Sequence, residues 1–234
     1  MLKVIMFDLD GTLLPMNQDK FVKVYFGGLG KKLEPFGYDP NAVANAVMRG
    51  VGAMIKNDGN ASNEIVFWNK FSELLGDDVR KHTDLFEDYY KNEFQKVKET
   101  CGFSKQAKEV VSKAKEKGFR VVLATSPMFP KIATESRIRW AGLEPEDFEF
   151  YTTYEDYNYA KPNLNYYRAV ISKLGVSPEE CVMVGNDVLE DMIVEELGVK
   201  TFLITDCLIN REERDYSKYQ QGDFSKLIKF IENL

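Results

Sequence analysis

Cysteine and histidine are scarce in this chain. Its three cysteines, Cys101, Cys181 and Cys207, are widely separated, odd in number and without a C-x-x-C pair, which argues against a disulfide framework or a thiolate zinc site. The expected state is three reduced thiols. Long apolar runs are missing too: nothing approaches the ~18 residues of a membrane span, and the stretch Met1 to Phe7 meets the charged Asp8 too soon for a secretory signal. A cytoplasmic protein is expected. Basic residues are in deficit, with 31 lysines and arginines against 37 aspartates and glutamates, a formal charge of −6 spread along the chain. Such a surface disfavours nucleic acid and anionic membranes as partners. It still allows a phosphate ligand held by a few local donors.

What is present is an ordinary globular composition, 44% hydrophobic and 29% charged over 234 residues. That length allows one large domain, or a core carrying a smaller one. Leu2 to Phe7 is a short apolar run rich in β-formers, a buried strand with Asp8-Leu9-Asp10-Gly11-Thr12 as its exit loop. From Asn17 to about Cys101 the period turns helical. Four segments follow one another: Phe21 to Leu33; a helix capped by Asp39 with Pro40 at its first position; Ser62 to Leu75; and Asp78 to about Lys98. After them helix and strand alternate. The expected strands are Phe119–Ala124, Phe148–Thr152, Cys181–Val184 and Val199–Ile204; the helices are Ser104–Lys117, Pro130–Ala141, Asn163–Leu174, Asp187–Leu197 and Phe224–Leu234. Ser177-Pro178-Glu179-Glu180 has the spacing of a capping box. This alternation implies an α/β fold with a parallel sheet covered on both faces. Its ligands bind beyond the carboxyl ends of the strands. The residues there are Asp8 to Thr12, then Thr125 and Ser126, then Gly185, Asn186 and Asp187, which should meet in one crevice.

Asp8 and Asp10, two residues apart in extended chain, point the same way, with Leu9 turned into the core. Carboxylates so close repel unless a cation lies between them or one keeps its proton, which suits one nucleophile or metal ligand and one general acid. The plainer alternative is a pair of solvated turn residues. Gly11 and Thr12 weigh against it, because a glycine lets backbone N–H groups approach an anion. Asp187 and Asp191, spaced i, i+4 at the start of a helix, share one face. Hard oxygen ligands of this kind suit magnesium, and the sole histidine, His82, lies in the helical stretch. Asp187 also makes a good N-cap, and both roles can coexist. Lys161, before Pro162, brings a positive charge into a loop otherwise acidic through Glu155 and Asp156.

In this order, Asp8-Leu9-Asp10-Gly11-Thr12-Leu13, Thr125-Ser126, Lys161-Pro162 and Gly185-Asn186-Asp187 with Asp191 resemble the four motifs of the haloacid dehalogenase (HAD) superfamily. The resemblance covers residues 1–15 and 100–234 and implies a Rossmann-like core. It implies that Asp8 attacks phosphorus to form an aspartyl-phosphate. Asp10 would protonate the leaving oxygen and then deprotonate the hydrolytic water. Thr125 would hold a phosphoryl oxygen, with Gly11, Thr12 and Ser126 nearby, and Lys161 would steady Asp8 and the phosphoryl charge. Asp8, the carbonyl of Asp10 and Asp187 would hold Mg²⁺, with Asp191 close by. Dehalogenase members lack the carboxylate of Asp10, because halide leaves without a proton; an alkoxide does not, so a phosphate ester is the better substrate class. Ser126 stands where many members have asparagine. Asn186 stands where many have an acid, which leaves Asp187, the Asn186 amide oxygen and Asp191 open as the fourth-motif ligand, Asp187 being favoured.

The helical stretch, 16–99, sits where the superfamily carries its helical C1 cap, and the roughly 35 residues between Thr125 and Lys161 are too few for the larger α/β cap. A lid there would exclude water and choose substrates. Lys20, Lys23, Arg49, Lys56 and Trp68 are candidates for substrate contact, against the simpler reading of exposed helix charges and a packed aromatic. The expectation is therefore Mg²⁺-dependent hydrolysis of a small phosphorylated metabolite by a monomer or homodimer. A sugar phosphomutase and a non-catalytic phosphate-binding or receiver-like module are the alternatives.

Overall fold

Five parallel strands carry the fold: β1 (Val4–Phe7), β2 (Arg120–Leu123), β3 (Cys181–Gly185), β4 (Lys200–Ile204) and β5 (Gln221–Gly222). In the computed structural model, which describes residues 1–234, they stand in the order β2-β1-β3-β4-β5. Eight α-helices accompany them: α1 (Gln18–Leu33), α2 (Pro40–Ile55), α3 (Asn63–Leu75), α4 (Thr83–Lys91), α5 (Lys105–Glu116), α6 (Lys131–Trp140), α7 (Leu164–Leu174) and α8 (Phe224–Glu232). β1 pairs on both sides, Phe7 lying level with Leu123 of β2 and Val184 of β3. The chain leaves β1 for β2 on one flank and then crosses to β3 on the other. Strand order thus reverses at β1, and the residues just past Phe7 open into the crevice where such sheets take ligands.

All four residues of β1 are fully buried because both faces of the sheet are covered. Side chains alternate: Ile5 and Phe7 meet Val110 and Ala114 of α5 and Leu227 and Ile231 of α8, while Val4 and Met6 meet Tyr167, Val170 and Leu174 of α7. The four helices between β1 and α5 start where their caps dictate. Asn17 accepts from Lys20 N at 3.0 Å, Asp39 from Ala42 N at 2.8 Å with Pro40 following, and Ser62 from Ile65 N at 3.3 Å. Their interior, with Phe21, Leu29, Val47, Phe71 and Phe94, belongs to the same apolar cluster as Ile5 and Phe7. The outgoing and returning segments run side by side, Gly102 N donating to Pro15 O at 2.6 Å.

Three expected elements take a different form. Phe148–Thr152 runs beside β2 through three backbone bonds, Glu149 N to Val121 O, Leu123 N to Phe150 O and Thr152 N to Leu123 O, but its register is irregular and only Tyr151 and Leu123 form a parallel bridge. The span expected as a helix from Asp78 is α4 flanked by 3-10 turns, Asp77–His82 and Glu93–Thr100; Asn92 breaks it by donating its amide to the Asp88 carbonyl. Asp187–Leu197 holds no α-helix, only a 3-10 turn over Met192–Leu197. There Asp187 and Asp191 spend their side chains on local N–H groups and outcompete the helix. The two-residue β5 is too short to leave a sequence signal.

Candidate active site

β1 delivers its exit loop to the crevice in a fixed conformation. Asp8 N donates to Val184 O at 2.9 Å, so pairing with β3 continues to the carboxylate itself. Leu9, fully buried, points into the core, and the chain then turns back with Thr12 N and Leu14 N both bonded to Leu9 O. Gly11 makes the turn at φ +87°, and a Cβ there would stand 2.3 Å from Asn186 Nδ2. Only glycine fits. Gly11 and Thr12 nevertheless depart from the expectation of phosphate donors. Gly11 N is spent on Leu14 O and Thr12 N on Leu9 O, while the Thr12 hydroxyl faces Asp8 Oδ2 at 3.1 Å and Asn186 Oδ1 at 3.0 Å. The N–H groups left without a partner in the chain at this turn are those of Leu9, Asp10 and Leu13.

Lys161, 1% exposed, joins the other motifs to Asp8: its ammonium lies 2.8 Å from Asp8 Oδ1 and 2.6 Å from Asp191 Oδ1. Burial pulls its pKa down, but the two carboxylates, Asp191 first, more than offset that and hold it well above the usual lysine range. Asp191 reaches it by tucking against the end of β3, where a Cβ on Gly185 would come within 2.2 Å of its carboxylate. Both Asp191 oxygens are occupied, the second by Asp187 N at 3.0 Å. The expected shared face of Asp187 and Asp191 on a helix is thus replaced by a side-chain clasp, in which Asp191 bonds to Lys161 and to Asp187 N. Asp187 caps Leu189 N and Glu190 N with one oxygen and turns the other toward Arg211 at 3.4 Å.

Asp8, Asp10, Thr125, Ser126, Asn186, Asp187 and Asp191 all border one cavity, with Lys161, Gly11 and Thr12 behind its wall. Two buried oxygens there lack any partner, Ser126 Oγ and Asp10 Oδ1. The other oxygen of Asp10 pairs with Arg137 Nη1 of α6. Burial raises the Asp10 pKa and the neighbouring Asp8 adds to it, against the pull of the Arg137 guanidinium. Arg137 itself is fully buried, its Cζ 4.1 Å from the centre of the Phe129 ring and its Nη2 3.2 Å from Thr134 Oγ1. Motif spacing alone does not single this residue out. Its signal was a charge in phase with Ala133 and Trp140 on the buried stripe of a helix, which demands a buried partner. Glu190, also on the cavity wall, was missed as well; burial, with Asp187 beside it, pushes its pKa up to about 8. Of the helical candidates, Trp68 lines the cavity, whereas Lys20, Lys23, Arg49 and Lys56 lie exposed away from it.

The donors around Asp8 are all oxygen: the Asp8 and Asp187 carboxylates, the Asn186 amide, and the main-chain carbonyl of Asp10, which accepts no hydrogen bond from the chain. No three acidic, histidine or cysteine side chains gather around a point. Two carboxylates and a carbonyl oxygen are hard donors of the kind that magnesium takes, together with water and substrate oxygens.

Residues 2–193 match the family model of haloacid dehalogenase-like hydrolases, and the chain belongs to that family. No curated protein matches the sequence. Among solved structures, a HAD phosphatase from Thermococcus onnurineus is similar, with 20% identity, 98% of each chain covered and a TM-score of 0.61. A predicted phosphatase from Clostridium acetobutylicum is 17% identical over the whole of both chains, with a TM-score of 0.63. YfnB from Bacillus subtilis, in a form bound to magnesium, is 16% identical with 98% of each chain covered and a TM-score of 0.55. At these identities the likeness is one of fold. No helix is long and apolar enough to cross a membrane.

Proposed function

We propose that the protein is a Mg²⁺-dependent phosphatase that hydrolyses a small-molecule phosphate monoester through a phospho-aspartate on Asp8, beneath a helical cap formed by residues 16–99. The observation that carries this reading is the pair at the exit of β1: Asp8 fixed by buried Lys161 at 2.8 Å, beside Asp10, whose Oδ1 is buried in the cavity wall without a partner. An Asp8 oxygen bonds to phosphorus as the ester oxygen departs, and Asp10, whose protonated form burial favours, gives that oxygen its proton. Asp10, now ionised, takes a proton from the water that attacks the phosphoryl group. The bond from Asp8 to phosphorus breaks, inorganic phosphate leaves, and both aspartates return to their starting states.

Phosphoryl transfer asks chiefly for positioning and charge neutralisation. Lys161 fixes Asp8 and offsets charge; Thr125, the unpartnered Ser126 hydroxyl and the free N–H groups of Leu9 and Asp10 hold phosphoryl oxygens. Asp8, the Asp10 carbonyl and Asp187 hold Mg²⁺, with Asp191 supporting through Lys161. When bound, the ion neutralises charge on the phosphoryl oxygens. The test is phosphate release from p-nitrophenyl phosphate by the wild type and Asp8→Asn, with and without EDTA. Activity that disappears with EDTA and in the variant is expected; turnover by Asp8→Asn overturns the assignment.

A further inference from the structure

The cavity in front of Asp8 and Asp10 encloses about 520 Å³ and extends from the strand ends into the helical block. Its two ends differ in chemistry. The charged groups, the aspartates with Glu190 and Arg211, are confined to the sheet side and its rim. The opposite wall is apolar and aromatic, with Phe21, Leu29, Val47, Val51, Phe67 and Trp68 among its lining. The hydroxyls of Tyr25 and Tyr90, which also border it, are bonded to each other at 2.6 Å, which engages one of their two protons, and Gln18, bonded to Arg211, and Tyr154 add the few other polar groups of the helical side and its edge. No lysine or arginine of α1 to α4 lines the space. The apolar strip continues to solvent: Val22, Met48 and Ile55 line the cavity while 40%, 57% and 41% exposed.

A polyhydroxylated sugar or nucleoside body placed along that wall would find few partners for its hydroxyls, and each one left unpaired would weaken binding about tenfold. An apolar body loses nothing there and covers the strip. We propose that the substrate is the phosphate monoester of a hydrophobic alcohol, aliphatic or aromatic, its phosphate at Asp8 and its organic body lying against α1, α2 and α3. This rests on the phosphatase reading for turnover, but the preference for an apolar body stands on the cavity wall alone.

The experiment compares kcat/KM for ethyl, butyl, hexyl and octyl phosphate, phenyl and naphthyl phosphate, and glycerol and glucose phosphates, all with Mg²⁺. In parallel, calorimetry measures binding of ethylphosphonate and octylphosphonate, which cannot be hydrolysed. The expected result is a gain of about threefold to fourfold in kcat/KM per methylene until the space is filled, equivalent to ~0.8 kcal/mol each, with octylphosphonate binding more tightly than ethylphosphonate. The aromatic arm distinguishes a flat body from a flexible chain. Exposed Met48, changed to Glu, reduces the preference for octyl over ethyl phosphate about tenfold. A flat or falling dependence on chain length, preference for the hydroxylated esters, or equal binding of the two phosphonates overturns the inference. Absence of turnover on every ester, with octylphosphonate still bound more tightly, refutes the phosphatase reading and leaves the apolar pocket standing.

Discussion

Arg137 is a fully buried guanidinium whose acidic partner is the Asp10 carboxyl group, and a buried cation is costly to leave without its partner or to remove from its packing. Arg137→Met is expected to destabilise the fold by ~3–5 kcal/mol in urea titration. If Arg137 also holds Asp10 in its proton-donating orientation, the folded fraction of Arg137→Lys loses more activity on ethyl phosphate, a poor leaving group, than on p-nitrophenyl phosphate, which departs with little help. Equal losses on both would assign Arg137 a structural role only. Asp10→Asn should lower kcat on ethyl phosphate by about 10²–10⁴-fold. Glu190 gives a pH signature: with its folded pKa raised from 4.5 to about 8, its contribution to stability is fully present below the unfolded value and is lost as pH rises through that window. Chemical denaturation in EDTA should therefore show stability falling between about pH 4.5 and 8, with a smaller fall in Glu190→Gln; an unchanged slope in the variant refutes this. The carboxylates were legible in the sequence because their spacing along one strand exit places them together. Arg137 was not, since its partner lies 127 residues away and only the fold joins them.

At the scale of elements, caps and glycine stops made the helices readable, and the failures share one cause. In 187–191 and at Asn92, side chains that cap or turn the chain bond to nearby backbone groups where apolar periodicity suggested continued helix. The attachment of the helical block to the sheet likewise depends on polar groups without a periodic signal. Asn63, fully buried at the start of α3, donates to Pro127 O at 3.1 Å and Tyr159 O at 3.3 Å and accepts from Asn57 Nδ2 at 2.9 Å. Asn63→Ala strands these groups and should cost ~1–3 kcal/mol in denaturation midpoint analysis; a neutral result would show that the contact is dispensable. The backbone bonds Asn63 N to Tyr157 O and Glu64 N to Tyr154 O tie the same corner to the loop leading to Lys161.

Over the whole molecule, a strand order that reverses at β1 brings Asp8, Thr125, Lys161 and Asp187 from four distant stretches to one sheet edge. Alternating helices and strands announced that convergence, because parallel connections leave the carboxyl ends of all strands on one side. The apolar character of the space above it was not announced. Aromatic residues at helical spacing read as core whether they pack on each other or line a cavity, and Phe21, Phe67 and Trp68 do both. The central claim is that Asp8 takes up the phosphoryl group. Rapid acid quench during turnover of p-nitrophenyl phosphate, followed by mass spectrometry of the proteolysed chain, measures it directly. The expected result is one phosphoryl group on Asp8, accumulating in Asp10→Asn, where the water is no longer activated, and absent from Asp8→Asn; phosphate on another residue, or undiminished turnover without Asp8, would contradict it.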